Sequence, residues 1–580
     1  MLNWIRNKLK KKQTIRAEPT PEEPLVIALT EVYEEPTEED PLDFIEEITF
    51  NEYKFTPSAI EDFYKKLRPH QVETVEALEG KDIGQINNPT GTGKTYIQKY
   101  IHVKDMIEKT KAGNVGVYAI AAHRLILCSQ LFDEIIDLVV TCGLKTDLLY
   151  IGSGRYPFDG LNEKYKAFGF DKDMIDCLQT TSSEAAAAFV DRAGQKGNHI
   201  LIVTTYHSFD CLRHIGDIDI CTFDEAHTTV EDRFKENIEA VWDNIKRKFF
   251  FTATRKVIGE TLGQNDFDFY GPVLYEMPPR NAVNVGEVVA PHIHIVKPLL
   301  EDNIEVDKAN IGMKIKTVME SFIAHEARVK EASISPETIA GKLLITNSGL
   351  DEIRGVVSDK IFRNWCFENN INVFSFSSKD GEAHNFDNNI SREDMLERMN
   401  SLKSNERAIL FHYDILTEGI DLPAITGVML MRSTIPFIKL LQNLGRACRL
   451  HPDDRKKLYA GEIAPKQYGS MVKPNSWVIL PVYLNDHWQY VQDIISNLRK
   501  SYEVPLEKVA ITDLSTSEKE FDPESLLEKN NTRRDLLDEI EHVFETVEVC
   551  EFEEASVHAD KKTKYTMEYI KTNGKVSMET

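Results

Sequence analysis

The chain has 580 residues, more than one hydrophobic core can serve, so two or three domains are expected. A charged share of 28% and a hydrophobic share of 42% fit a soluble globular protein, no run of 18 apolar residues exists to span a membrane, and eight scattered cysteines (128, 142, 177, 211, 221, 366, 448, 550) point to reduced thiols and away from zinc. The net charge of −25 argues against nucleic acid only until it is located: residues 1–50 carry 12 acids against 6 bases and residues 501–580 carry 20 against 10, which leaves a nearly balanced middle with room for a basic groove.

In chain order, Lys8, Lys10, Lys11 and Lys12 beside Trp4 and Ile5 read as a solvated basic tail or a short membrane- or nucleic-acid-touching patch. Residues 17–48 are rich in Glu and Pro without periodicity and read as a disordered arm, with order beginning near Phe50. Leu67-Arg-Pro-His-Gln71 opens a helix-like run to Leu78, where Gln71 either reads an adenine edge through its amide or is a polar helix start. A short strand from Gly84 then enters Asn88-Pro-Thr-Gly-Thr-Gly-Lys-Thr95, with a helix from Tyr96 onward. Gly91 and Gly93 let the backbone N–H groups of the loop, Thr90 and Thr92 included, curl around an anion at a helix N-terminus. Lys94 would reach the terminal phosphates, and Thr95 would hold a magnesium ion. The first position of this Walker A pattern prefers a small residue and here is Asn88, so an ordinary Gly-rich turn is the alternative for the loop taken alone.

Val115–Ala122 reads as a buried parallel strand with His123 and Arg124 at its carboxyl end, where α/β sheets bind ligands. Arg124 is either a contact to a strand's phosphate or a surface arginine. Residues 155–198 form a polar insertion, read as decoration, with a helix at Ser183–Arg192. His199–Tyr206 is a further buried strand ending in hydroxyls, Thr205 among them, at the same edge. Ile218–His227 delivers two adjacent carboxylates: Asp224 is assigned to a metal and Glu225 to the attacking water. Phe249–Thr254 is a fourth strand, whose threonines either relay between sites or cap the next helix.

These motifs, in this order, resemble the first half of a superfamily 2 helicase of the DEAH-box type. Lys342-Leu-Leu-Ile-Thr-Asn-Ser348, Ile415-Leu-Thr-Glu-Gly-Ile-Asp-Leu-Pro423 and Gln442-Asn-Leu-Gly-Arg-Ala-Cys-Arg449 continue the resemblance, which covers about residues 60–485. Gly271-Pro-Val-Leu-Tyr-Glu276 is similar to the segment joining the halves in the restriction-subunit-like and phage branch. The resemblance implies an α/β fold of two tandem RecA-like domains, parallel sheets with flanking helices, at 51–275 and 285–500. Acidic extensions would flank them, a disordered arm at 1–50 and a helical accessory segment at 501–580 that includes Arg533–Phe544. It also implies ATP and Mg2+ in a cleft between the domains, with Arg446 and Arg449 on the γ-phosphate and Arg449 as arginine finger. Gly419 and Asp421 would lie near the ribose, and Thr346 and Thr417 near the strand's phosphates. His227, Thr252, Thr254 and Gln442 would couple the two sites.

The activity implied is an ATP-dependent helicase or translocase, with DNA preferred to RNA as the nucleic-acid partner. An RNA helicase and a motor or regulatory ATPase subunit of a restriction-type complex are the alternatives. A metabolic kinase with a phosphate loop leaves the Arg446 and Arg449 pair unexplained. Such a protein would work in the cytoplasm, bacterial or virus-encoded in a host cell. Its further partners would be replication, repair, transcription or restriction proteins, and no membrane.

Overall fold

A computed structural model describes residues 54–123, 125–152, 175–258, 261–297, 310–377, 383–384, 389–390, 395, 397–399, 401–413, 424–432, 437–481, 488–502, 504 and 509–513. The basic cluster, the acidic arm, Arg124, the motif containing Thr417, Gly419 and Asp421, and the helix expected at 533–544 lie outside these residues.

The first sheet is built from β1 (Ile83–Asn87), β2 (Val117–Ala122), β3 (Thr146–Ile151), β4 (Cys177–Thr180), β5 (His199–Thr205), β6 (Ile218–Asp224), β7 (Ile245–Thr252) and β10 (Val273–Glu276); between the last two, β8 (Val257–Ile258) and β9 (Leu262–Gly263) pair as a small hairpin. The spatial order is β10-β1-β7-β6-β2-β5-β3-β4, and every pairing is parallel. A parallel sheet must be covered on both faces, and the strands are apolar on both. In β2, Tyr118 and Ile120 enter one core while Ala119 and Ala121 enter the other. Phe249, Phe250 and Phe251 at the centre are fully buried, and Phe223 stacks on Phe250 at 4.5 Å across the β6–β7 pair. Cutting any of these rings to alanine costs about 3–5 kcal/mol.

Helices α1 (Pro69–Leu78), α2 (Lys94–Lys111), α3 (Leu125–Thr141) and α4 (Ser183–Lys196) belong to this sheet. Pro69 stands at the first position of α1, where its missing N–H costs nothing. The expectation that residues 155–198 are decoration is corrected from residue 175 on. Cys177–Thr180 is the edge strand beside β3, and α4 buries Ala186, Phe189, Val190 and Ala193 in the core. Ser182 caps the start of α4 through Ala185 N–H, and Gly197 at φ 75° ends it, so the helix boundaries are local while its docking is not.

The second sheet runs β15-β14-β13-β16-β12-β17-β18-β11-β19, from β11 (Ala290–Lys297), β12 (Lys342–Asn347), β13 (Ile371–Ser377), β14 (Ala383–His384), β15 (Asn389–Ile390), β16 (Arg407–Tyr413), β17 (Gly427–Met431), β18 (Asn475–Pro481) and β19 (Val509–Asp513). Pairing is parallel except for the short β14 and β15. Its helices include α5 (Ile311–Ala332), α6 (Phe437–Ala447), α7 (Pro452–Tyr459) and α8 (Trp488–Tyr502). Two departures from expectation concern connectivity. The segment 271–276, expected to join the halves, carries β10 and pairs with β1 on the first sheet's edge. Val509–Asp513, expected in a separate helical element, adds an edge strand to β11 of the second sheet. No described helix is long and apolar enough to cross a membrane.

Candidate functional site

The loop after β1 is shaped by two glycines with left-handed backbone, Gly91 at φ 92° and Gly93 at φ 80°. Gly93 precedes α2 and offers no capping side chain, which leaves the first-turn N–H groups for an anion. Lys94 Nζ donates to Asn88 O at 3.2 Å, folding the lysine back over the loop. Three side chains brace the loop from outside by donating to a single carbonyl, Thr92 O: Arg68 Nη2 at 2.6 Å, His70 Nε2 at 2.9 Å and Gln71 Nε2 at 3.0 Å. Gln71 Nε2 also reaches Gly93 O at 3.2 Å, and its Oε1 accepts the Arg68 N–H at 3.0 Å. Gly93 is required by its left-handed backbone, and a Cβ there, 2.4 Å from Arg68 Nη2 and 2.5 Å from Gln71 Nε2, would also push both side-chain ends aside. Gln71 is thus a loop brace in this structure, and its amide donors are taken up on the loop backbone.

The two acids stand at the end of β6. Gln98, one turn after Lys94 on α2, donates Nε2 to Asp224 Oδ1 at 3.0 Å, and the Tyr206 hydroxyl donates to Asp224 O at 2.6 Å. Glu225 has φ 51°, a left-handed conformation that strains a residue with a Cβ by about 1–2 kcal/mol and turns its side chain off the strand. Burial and the neighbouring Glu225 charge push the Asp224 carboxyl up. Burial acts the same way on Glu225 but is outweighed by Lys94, His227 and Arg446, which hold it low and ionised. Glu225 Oε2 is buried, 3.4 Å from His227 Nδ1. The site thus sets one strained, ionised carboxylate beside a second that it repels, two acids of unequal charge state at one strand end.

The second domain closes on this site through α6. A Cβ on Gly445 would lie 2.6 Å from Thr90 Cβ, and one on Gly91 3.2 Å from Arg449 Cγ, so α6 packs directly on the phosphate loop. Val288 and Arg449 form an isolated antiparallel bridge beside it. Gln442 Nε2 donates to His227 Nε2 at 2.9 Å, which places the ring proton on Nδ1. That proton goes to Thr252 Oγ1 at 3.2 Å, and Thr252 donates on to Thr254 O at 2.9 Å. The four residues expected to couple the sites are therefore one hydrogen-bond chain across the cleft.

The expected strand contacts fare differently. Thr346 is 2% exposed, and its hydroxyl is engaged inside the second domain, by His412 Nε2 at 2.9 Å and by Asn443 Nδ2 at 3.2 Å. It anchors α6 to β12 and is not at a surface that a strand could reach. Thr205 is likewise buried at the end of β5. Sequence reading passed over Arg68 and His70, although both lie in the segment it singled out, and over Gln98, which four-residue spacing from Lys94 would have placed on the same helix face. Gly445 lay inside a quoted motif, and only its contact with Thr90 reveals its role.

Residues 64–257 match the family model for the Type III restriction enzyme res subunit, and residues 361–451 match that for the helicase conserved C-terminal domain. Among solved structures, the ATP-dependent Type ISP restriction-modification enzyme LlaBIII bound to DNA is similar at 14% identity and a TM-score of 0.53, over 82% of this chain and 32% of that one. The chain thus spans about a third of that enzyme's length. The DEAD-box helicase Mss116 bound to ssRNA and UDP-BeF aligns at 14% identity, TM-score 0.48, over 84% and 86% of the two chains. The helicase MrfA bound to DNA aligns at 11% identity, TM-score 0.46, over 74% and 51%. The two sheets with their helices are RecA-like domains, and the chain is similar over 64–257 to the res subunits of restriction enzymes and over 361–451 to the helicase C-terminal domain, a pairing that supports a superfamily 2 helicase.

Proposed function

We propose that the chain is an ATP-driven motor that moves along or unwinds DNA, hydrolysing ATP in the cleft between its two domains. The observation that carries this reading is the Gln442–His227–Thr252–Thr254 chain, which joins α6 of one domain to the residues that follow the acid pair and end β7 in the other. Lys94 and the loop N–H groups would bind the phosphates, and Thr95 and Asp224 would hold Mg2+, which supplies charge neutralisation at the phosphates. Glu225 would be the base for water, held ionised beside Lys94, His227 and Arg446. Arg446 enters from α6 and Arg449 from the turn just after it, so turnover depends on closure. DNA is favoured over RNA by the res-subunit match. A restriction-type complex in which this chain is only the motor subunit is a second reading, favoured by its matching a third of the LlaBIII length. The seven cysteines among the described residues are unbridged, which suits a reducing cytoplasm.

The test is ATPase rate with single-stranded DNA, duplex DNA and RNA, alongside strand displacement. Stimulation by DNA above RNA is expected, with binding that weakens steeply in salt because the contacts are to phosphates. No stimulation by any polymer would overturn the reading, and stimulation without displacement would favour the translocating subunit.

A further inference from the structure

Behind the arginine-bearing helix lies a charged group that the mechanism above does not use. Lys473, 1% exposed, sends Nζ to Ala447 O at 2.5 Å and to Arg449 O at 2.7 Å. Both are carbonyls at the end of α6, which have no helical N–H to meet. The carbonyl between them, Cys448 O, accepts Val289 N–H at 2.8 Å. Three successive carbonyls are therefore tied down, two of them by one side chain. Lys473 is itself fixed: the carboxylate of Asp454 on α7, fully buried, accepts Val472 N–H and Lys473 N–H at 2.7 Å each. On the other side of the same peptide, Arg449 lies against Gly91 of the phosphate loop.

We infer that Lys473 is the positioning residue for Arg449, holding its backbone so that the guanidinium meets the phosphate loop in one geometry when the cleft closes. A helix end needs only water or a glycine turn to finish its carbonyls. A buried lysine is a costly substitute, and burial draws this one down to about 7. The groups facing it are Cys448, Asp454, Arg449 and Arg455, so two neighbouring arginines add to that cost. What the lysine provides that water does not is a fixed length between α7 and the Arg449 peptide, and positional error of about 1 Å at a reacting group costs about 10²-fold in rate.

The inference rests on the reading of Arg449 as the finger, and the experiment separates the two. In the full chain, Lys473→Met, Lys473→Gln, Arg449→Ala and the Lys473→Met/Arg449→Ala pair are compared for DNA-stimulated kcat, KM for ATP, binding of a fluorescent ATP analogue and melting temperature. Lys473→Met should lower kcat by about 10²-fold while KM and analogue binding stay within about twofold. Melting should change little, because relief of the buried charge offsets the two carbonyls that lose their donor. Lys473→Gln, with shorter reach, should fall between, and it carries the same comparison if the methionine variant does not fold. In the Arg449→Ala background, Lys473→Met should change nothing further. Wild-type kcat in folded Lys473→Met, losses that multiply in the pair, or analogue binding and melting that fall in step with kcat would each overturn the inference. Wild-type turnover in Arg449→Ala would instead sink the finger reading.

Discussion

Gly445→Ala puts one methyl group where the two domains touch. The new Cβ would stand 2.6 Å from Thr90 Cβ and 3.0 Å from Thr90 Oγ1. Ordinary carbon contacts begin at about 3.5 Å, so the closed arrangement is short by about 1 Å. Thr90 Cβ is fixed to the loop backbone, so the overlap is not relieved by a rotamer change, and either the phosphate loop or the cleft must shift. Overpacking of this kind costs about 1–3 kcal/mol, which lowers the closed population about 5- to 150-fold. The open state feels none of this. There the substitution replaces a glycine inside α6 by the best helix former, worth about 1 kcal/mol of stability. The expected signature is a protein that melts no lower than wild type, binds a fluorescent ATP analogue normally, and loses stimulated ATPase by roughly one to two orders of magnitude. Thr90→Gly in the same protein removes the opposing Cβ and should restore part of the rate. A folded Gly445→Ala protein with wild-type stimulated turnover would show that α6 does not pack on the loop in the hydrolysing state, and the geometric argument would fail.

Lys94→Ala should weaken ATP binding and abolish hydrolysis, whereas Glu225→Gln should bind ATP nearly normally and fail only in turnover; equilibrium binding and single-turnover assays distinguish them, and wild-type turnover in Glu225→Gln would remove it from the role of base. Gln442→Ala cuts the chain at His227 Nε2, so DNA should stimulate ATPase about tenfold less while the unstimulated rate holds; equal loss of both rates would make Gln442 a packing residue only. Asp224 has its folded pKa raised by burial and by Glu225, so between about pH 4 and the raised value the folded state holds a proton that the unfolded state has released, and stability falls as pH rises through that window. Asp224→Asn removes this and should melt higher than wild type at pH 8, with the gap closing towards pH 4; a gap that widens at low pH would refute the assignment.

What the sequence by itself determined is the local machinery and the type of fold. Two glycines and a lysine at a strand-to-helix turn, apolar runs ending in Asp224-Glu225 and Thr252-Ala-Thr254, and the alanine-rich helix at 183–192 depend on neighbours within a few residues, so the strands at 117–122, 199–205 and 218–224 and the end of that at 245–252 were legible in advance. That His227, Thr252 and Gln442 belong together was suggested only by resemblance, because nothing local says that residues more than 200 apart share a hydrogen bond. Tertiary structure alone decided the rest. A hydroxyl at a strand end reads the same whether it faces a ligand cleft or a domain interior, and Thr346 proved to face the interior, held by His412 and Asn443. The places of 177–180 and 509–513 at sheet edges depend on which strand lies beside them, a long-range choice that short apolar segments do not encode. Nothing local to Lys473 marks it in sequence; only the return of the chain behind α6 buries it and brings its ammonium to two carbonyls that the helix end had left unmet.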